Sequence, residues 1–245
     1  IIGMGPVGAC AAIHLAHAGM KVAVFEKNKS IYPLSRAVSI DGEIVRAFQG
    51  INRGKELAKI LQTIRPDDRA GFADAQRNWL FGTKLSSDGP NGWPPNSQFY
   101  QPELDQYLRD TAQTYPDIDI FLGEEIQSWK QADDRVDLKS TQRTICSRYA
   151  IACDGASSPT RKALEISWRD LGYSHDWLVV DAEVNSKNTL PNDVLQVCDP
   201  DRLHTFVATK DPFRRWEFRL NPGEKADDMM RDKTIHSLLS AWTPR

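Results

Sequence analysis

Several features that would assign a function class directly are missing from this sequence. It has no apolar run long enough to span a bilayer and no cleavable signal pattern, so neither a membrane span nor secretion is expected. Its formal net charge is only −2, which provides no global field to attract nucleic acid or a membrane surface. The 245 residues, 40% of them hydrophobic, are enough for one large domain or two modest ones.

Cysteine is sparse, and its spacing indicates neither a zinc site nor a redox motif. The chain has four cysteines and no C-x-x-C pair. Without a secretory signal, reduced thiols in a cytoplasmic protein are expected. His14 and His17 lie three residues apart, but no third ligand lies near them in sequence, so no metal site is expected.

The sequence does contain a glycine-rich turn at its start. The segment IIGMGPVG at positions 1–8 has the pattern of a buried strand end, a tight turn and a helix that runs to about position 19. A second apolar run, 21–25, ends on Glu26. This β-α-β pattern with G-x-G-x-x-G at its first turn is typical of a dinucleotide-binding site, but it does not separate NAD from FAD.

Each glycine of the turn has its own expected role. Gly3 permits the turn, Gly5 lets a pyrophosphate approach the backbone, and Gly8 lets the helix pack close to the strand. The helix N-terminus, where Pro6 and Val7 are candidate cofactor-binding residues, offers the free N–H groups of its first turn after Pro6 and a positive dipole end to phosphates. A purely structural glycine turn is the alternative.

The residues that end the second apolar run complete this expected site. Glu26 lies where an acid accepts hydrogen bonds from ribose hydroxyls, at about the 20-residue spacing known for that role. Lys27 is a candidate to lie along the adenosine, with an ordinary surface lysine as its alternative. The acid at this position is the feature that a structural turn does not explain.

Two kinds of segment alternate along the rest of the chain. Helical patterns occupy 42–50, 54–64 and 102–114, and 149–153 has the pattern of a buried strand that ends at Asp154. Antiparallel strand patterns occupy about 70–98 and 175–220, and a helix is expected from there to about position 242. This alternation predicts two domains built from interleaved segments.

Three separated motifs together resemble one family. They are the glycine turn with Glu26, Gln101 at the head of helix 102–114, and the segment CDGASSPTR at 153–161. The set resembles the FAD-dependent aromatic hydroxylases, the class A flavoprotein monooxygenases. Shorter matches, among them RAVSID at 36–41, GWP at 92–94 and RRWEF at 214–218, are similar to the phenol hydroxylases of that class, such as 3-(3-hydroxyphenyl)propanoate hydroxylases.

The resemblance implies a fold and a chemistry. The fold is α/β, with a Rossmann-like FAD-binding domain (1–70 and 99–170) interleaved with an antiparallel β-sheet substrate domain (71–98 and 171–245). NADH or NADPH would reduce FAD, O2 would form a flavin hydroperoxide, and a small phenolic substrate would be hydroxylated. No nucleic-acid or membrane partner is expected, and assembly as a homodimer is left open.

The resemblance also implies roles for single residues. Arg36 matches an arginine near the FAD phosphates and isoalloxazine, and Gln101 matches a glutamine that bonds the phosphate–ribityl region. Asp154 matches an aspartate that faces the cofactor and the nicotinamide path. Asp41 matches an aspartate that contacts the substrate hydroxyl and could take its proton. The alternatives are a surface salt bridge for Arg36 and helix capping for Asp41 and Asp154.

Part of the family pattern does not occur in these residues. The family's later glycine–aspartate motif is absent, and only two apolar residues precede the glycine turn, so we expect a fragment of a longer protein. A non-catalytic flavin-fold fragment is therefore a second hypothesis. A related flavoprotein that oxidises or halogenates is a third, although the W-x-W-x-I-P motif of halogenases does not occur here.

Overall fold

The computed structural model describes residues 1–51, 59–85, 87–185 and 190–242. The chain divides into two compact units that interleave along the sequence: Ile1–Ser35, Phe48–Glu56 and Gln101–Arg169 in the first, and Arg36–Ala47, Leu57–Tyr100 and Asp170–Arg245 in the second. These units differ from the domains expected from the sequence, because the expectation assigns all of 1–70 to the nucleotide-binding domain. No helix in the described ranges is both long and apolar enough to cross a membrane.

The first unit is built on a parallel ladder that begins at the glycine turn. Strand β1 (Val22–Glu26) pairs in parallel with β7 (Ile118–Leu122). Ile2 forms single parallel bridges to Phe25 on one side and to Ala152 on the other. The helices of this unit include α1 (Pro6–His17), α3 (Gln101–Gln113) and the short α4 (Pro159–Ala163).

Helices α1 and α3 pack against each other, and α1 also packs on β1 and β7. The buried face of α1 consists of glycine, three alanines and Ile13, and such small residues allow close approach to its neighbours. Pro6 begins the helix, where its missing N–H costs nothing. The same unit contains a three-stranded antiparallel meander of β8 (Ile126–Gln131), β9 (Val136–Ser140) and β10 (Thr144–Ser147).

The second unit contains a six-stranded sheet. Its strands are β4 (Arg69–Ala73), β5 (Trp79–Lys84), β11 (Trp177–Glu183), β12 (Val194–Val197), β13 (His204–Val207) and β14 (Phe213–Arg219). Their order in the sheet is β11-β14-β13-β12-β4-β5. Strands β12 and β4 pair in parallel, and the other neighbouring pairs are antiparallel.

The core of this unit lies on one side of the sheet. Alternate strand residues, including Phe206, Trp216 and Phe218, are buried together with Met229 and Trp242. The two short helices after the sheet, α5 (Ala226–Met229) and α6 (Asp232–Leu239), contribute to this cluster. Because strand side chains alternate in direction, residues such as Gln196 and Thr205 lie on the opposite face.

A separate three-stranded sheet carries the start of another helix. Its order is β2-β6-β3, with β2 (Ser39–Asp41), β6 (Asn96–Phe99) and β3 (Ile64–Pro66), and both pairings are antiparallel. Helix α2 (Gly42–Ile51) follows β2 directly. Hence Asp41 lies at the junction of a strand and a helix.

The structure corrects three local expectations. The prediction of a helix over 54–64 is wrong at its end, because residues 64–66 form β3, which pairs with β6. Residues 59–61 are helical as expected, and residues 52–58 lie outside the described part of the chain. The 149–153 segment is not a buried strand, since its ladder contact is one bridge at Ala152 while Tyr149 is 81% exposed. The expected final helix is two short helices, α5 and α6, separated at 230–231.

An ion pair between the β12–β13 loop and the segment after β14 should make stability depend on pH in the acid range. Arg202 donates to both carboxylate oxygens of Glu224 at 2.8 and 2.5 Å, and the Asn221 N–H donates at 2.7 Å. The hydrogen bond from Arg202 is the main reason that the pKa of Glu224 falls from 4.5 to about 2. Because the folded-state pKa is lowered, this contribution to stability is complete above pH 4.5 and is lost as the pH falls through about 2.

We predict that Glu224→Gln lowers the melting temperature near pH 6, and that its difference from the parent shrinks as the pH falls from 4.5 towards 2. Thermal denaturation followed by circular dichroism across this range measures the effect. Glu183→Gln, at an exposed glutamate of the same unit, is the matched control. A Glu224→Gln difference that stays constant with pH would contradict the assignment.

Candidate functional site

Gly3 directly follows Ile2, which bridges to Phe25 and Ala152, and the conformation of Gly3 excludes a side chain. Its φ is +96°, in the left-handed region that favours glycine. A Cβ atom at Gly3 would lie 2.4 Å from the carbonyl oxygen of Cys153. The Gly3 N–H donates to the carbonyl of Phe25 at 2.7 Å, so the turn is fixed on β1.

Gly8 and Gly5 differ sharply in their surroundings. A Cβ atom at Gly8 would lie 2.0 Å from the carbonyl oxygen of Gly3, so the first turn of α1 rests on the strand end. At Gly5, no described heavy atom lies within 4 Å of such a Cβ, and φ is −73°, which any residue adopts. The fold therefore requires glycine at Gly3 and Gly8, whereas at Gly5 it only leaves the backbone open to an approaching group.

The N-terminus of α1 faces this open backbone. Gly5 is the N-cap and has no side chain to accept a hydrogen bond, and the first helical bond runs from Ala9 N–H to Gly5 O at 2.9 Å. The N–H groups of Val7 and Gly8 thus precede the helical ladder. No acidic residue lies in the first turn of this 12-residue helix, so the helix itself places no counter-charge at its positive end.

Glu26 is the last residue of β1, and its carboxylate links the glycine turn to the loop that follows β1. One carboxylate oxygen accepts the Met4 N–H at 2.9 Å, and the other accepts the Asn28 N–H at 2.8 Å. Each carboxylate oxygen can accept a further hydrogen bond, which is what a ribose hydroxyl needs. Sequence reasoning found the acid but not its second task of holding the glycine turn at Met4.

The two basic candidates are both exposed. Lys27 follows Glu26 in the first unit, and Arg36 begins a segment of the second unit. Their roles at adenosine and at phosphate stay predictions.

Gln101 begins α3, and it is buried. Its backbone N–H donates to the Ser35 hydroxyl at 3.2 Å, and its side-chain amide donates to Asp105 at 3.2 Å. Asp105 was missed, although the i,i+4 spacing on a helix would have indicated the contact. The predicted flavin contact of Gln101 stays a prediction.

Asp154 caps a short helix, as its structural alternative proposed. Its Oδ2 accepts the Thr160 N–H at 2.9 Å, while Ser158 Oγ accepts the Arg161 N–H at 2.9 Å. Partial burial raises the pKa of Asp154, but hydrogen bonds from Ser158 and Thr160 outweigh burial and hold that pKa below its usual value. The carboxylate is therefore ionised at neutral pH, in the same unit as the glycine turn.

Asp41 ends β2 and caps α2, with its Oδ1 accepting the Ile44 N–H at 2.9 Å. The capping alternative is therefore present, and it uses one carboxylate oxygen. A Cβ atom at the next residue, Gly42, would lie 2.9 Å from the Pro94 carbonyl oxygen, so the Trp93–Pro94 turn lies against the helix start. Asp41 and this loop are neighbours in the second unit, which the sequence did not predict.

The face of the six-stranded sheet opposite its core contains a shallow concavity of about 500 Å³. Phe72 and Phe81 stack there with ring centroids 4.5 Å apart, and their side chains are 38% and 62% exposed. Beside them, the Thr205 hydroxyl donates to the Gln196 amide oxygen at 2.9 Å. The stacked rings and the polar pair thus lie side by side on this face of the sheet.

The chain matches the FAD-binding domain family over residues 1–244 and belongs to that family. It is 31% identical over 246 residues to a 3-(3-hydroxy-phenyl)propionate/3-hydroxycinnamic acid hydroxylase of Mycolicibacterium gilvum (strain PYR-GCK), covering all of this chain and 42% of that protein. The chain thus spans less than half the length of the curated relatives it matches.

Solved structures share the fold at low sequence identity. A p-nitrophenol 4-monooxygenase of Pseudomonas putida DLL-E4 superposes with a TM-score of 0.85 at 18% identity, over 99% of this chain and 62% of that one. Aklavinone-11 hydroxylase, solved with FAD and aklavinone, gives 0.80 at 20% identity, over 98% and 49%. The predicted α/β fold class and the predicted family resemblance are confirmed.

The contrast between Gly5 and Gly8 gives a testable prediction. Gly8→Ala should lower the free energy of unfolding by about 3 kcal/mol, because its Cβ meets the Gly3 carbonyl. Gly5→Ala should leave the fold unchanged and weaken FAD binding about tenfold or more, because its Cβ fills the open approach to the backbone. Urea denaturation and titration calorimetry with FAD measure the two effects.

Gly50→Ala is the matched control, since no described heavy atom would lie within 4 Å of its Cβ and it belongs to α2. It should leave FAD binding unchanged and should not lower the free energy of unfolding, because alanine favours a helix more than glycine does. Normal FAD binding by Gly5→Ala would contradict the assignment of the open backbone to the cofactor.

Proposed function

We propose that the protein is an FAD-dependent monooxygenase that hydroxylates a small phenolic substrate with NADH or NADPH and O2. The observation that carries the proposal is the open backbone at Gly5 between two glycines that the fold requires. Membership of the FAD-binding domain family supports FAD as the dinucleotide. The names of the curated relatives support ring hydroxylation as the reaction.

The residues of the first unit fit the cofactor. The diphosphate would be held at Gly5 by the N–H groups of Val7 and Gly8, where the helix dipole favours negative charge. Glu26 would accept hydrogen bonds from the adenosine ribose. When bound, FAD supplies the redox chemistry that transfers one oxygen atom from O2 to an aromatic ring.

The second unit contains two features that suit an aromatic substrate: the stacked rings of the concavity, and the Asp41 carboxylate, which does not line that concavity. The stacked Phe72 and Phe81 offer a flat apolar surface to a ring, and Gln196 and Thr205 offer polar groups beside it. Asp41 is exposed, and its capping bond uses only one carboxylate oxygen. The other oxygen would accept the proton of a phenol, which makes the ring more electron-rich and more reactive towards an electrophilic oxygen.

The direct test is to add FAD to the purified chain and to assay it with a panel of phenols, including hydroxyphenylpropionates. The proposal expects a yellow protein that oxidises NADH or NADPH and incorporates ¹⁸O from labelled O2 into a hydroxylated product. A chain that stays colourless would contradict FAD binding. Peroxide without hydroxylated product from every phenol would instead support an oxidase.

A substitution at Asp41 separates catalysis from capping. Asparagine caps helices as well as aspartate does, so Asp41→Asn should keep the melting temperature while it lowers kcat for hydroxylation by about 100-fold or more. Asp41→Ala should lower both, with a stability loss of about 1 kcal/mol. Full activity of Asp41→Asn would show that Asp41 only caps α2.

A further inference from the structure

A buried polar cluster adjoins the three-stranded sheet that presents Asp41. Its centre is Asp67, which is 4% exposed and follows β3. One oxygen of Asp67 accepts hydrogen bonds from the side-chain amides of Asn96 and Gln98, the latter at 2.8 Å. The other oxygen faces the Arg65 guanidinium at 3.5 Å. These groups have no part in the function proposed above.

The cluster is connected to β2 at both of its ends. In the β2–β6 register, Asp41 lies opposite Asn96, and Ser39 lies opposite Gln98. The Ser39 hydroxyl also donates to the Asn96 amide oxygen at 2.7 Å. The Asp67 carboxylate therefore accepts hydrogen bonds from Asn96 and Gln98, the two β6 residues that lie opposite the first and last residues of β2.

This connection matters because β2 is held weakly by its own backbone. It has only three residues and pairs with β6 along one edge, whereas strands are usually about five or six residues long. The Trp93–Pro94 turn that lies against Gly42 also leads directly into Asn96. The conformation of Asn96 therefore affects both β2 and the Trp93–Pro94 turn, the two segments beside Asp41.

We infer that Asp67 is a positioning residue for Asp41, which it holds in place through Asn96 and Ser39. This inference rests on the proposed function only in giving Asp41 a catalytic role. Asp67 touches neither substrate nor cofactor in this role. It fixes the strand end from which the Asp41 carboxylate is presented.

The burial of this carboxylate is not favourable by itself. Burial raises the pKa of Asp67, and hydrogen bonds from Gln98 and Asn96 and the charge of Arg65 oppose the rise without cancelling it. A folded-state pKa above that of the unfolded chain means that ionising Asp67 costs more in the folded protein than in the unfolded one. Asparagine at this position keeps an acceptor for Asn96 and Gln98 but removes the carboxylate that faces Arg65, so the melting temperature must be measured beside kcat.

The test is a double-mutant cycle between Asp67→Asn and Asp41→Asn, with melting temperature, kcat and KM measured for each. We expect Asp67→Asn to fold with a lowered melting temperature and to lose about ten- to a hundredfold in kcat, because small misplacements of a catalytic group are costly. In the Asp41→Asn background it should cost no further kcat. Asp68→Asn, at the exposed neighbouring carboxylate, should change neither quantity.

Amide hydrogen exchange at Ile44 supplies a readout that does not depend on activity, because its N–H bonds to the Asp41 carboxylate. Exchange there should quicken severalfold in Asp67→Asn and in Ser39→Ala, and it should not change in Asp68→Asn. A parent that hydroxylates no phenol would defeat the proposed function alone, and the exchange result would still decide the positioning role.

Unchanged exchange at Ile44, or an equal loss of kcat in both backgrounds, would overturn the inference. Should Asp67→Asn fail to fold, Ser39→Ala decides by the same two readouts, since it breaks only the last link to Asn96 at an exposed position.

Discussion

The contact between the first turn of α1 and the strand end at Gly3 is the constraint on which the candidate nucleotide site depends. Only a residue without Cβ fits at Gly8, since the Gly3 carbonyl would lie 2.0 Å away. This approach brings the first N–H groups of the helix, which precede the Ala9–Gly5 hydrogen bond, beside an open stretch of backbone at Gly5. The Glu26 carboxylate accepts the Met4 N–H and so fixes the glycine turn on the end of β1.

The candidate binding groups of the second unit are side chains, whereas those of the glycine turn are backbone N–H groups. Its aromatic core, with Phe206, Trp216 and Trp242, occupies one side of the six-stranded sheet, and the other side keeps Phe72 and Phe81 partly exposed. Burying one face of an antiparallel sheet is enough to hold it together, which leaves the second face available for recognition. The smaller sheet adds the one carboxylate, Asp41, to which we give a chemical role.

The sequence allowed prediction of the features whose signals are local. The glycine turn, the acid at Glu26, the α3 helix and most strands follow from spacing and alternation within short windows. The features that it did not predict depend on pairing between distant segments. Asp67 and Asn96 meet across 29 residues, and the stack of Phe72 on Phe81 requires the register of β4 and β5. The 149–153 run is apolar enough for a buried strand, yet a single bridge holds it.

The most direct test of the central claim is to titrate the ¹⁵N-labelled chain with FAD while backbone amide shifts are followed by NMR. The claim that the glycine turn holds the diphosphate predicts saturable shifts that are largest at Gly5, Val7 and Gly8, with Gly223 in the second unit unaffected. Saturable binding whose largest shifts lie away from the glycine turn, with those three amides unmoved, would contradict it.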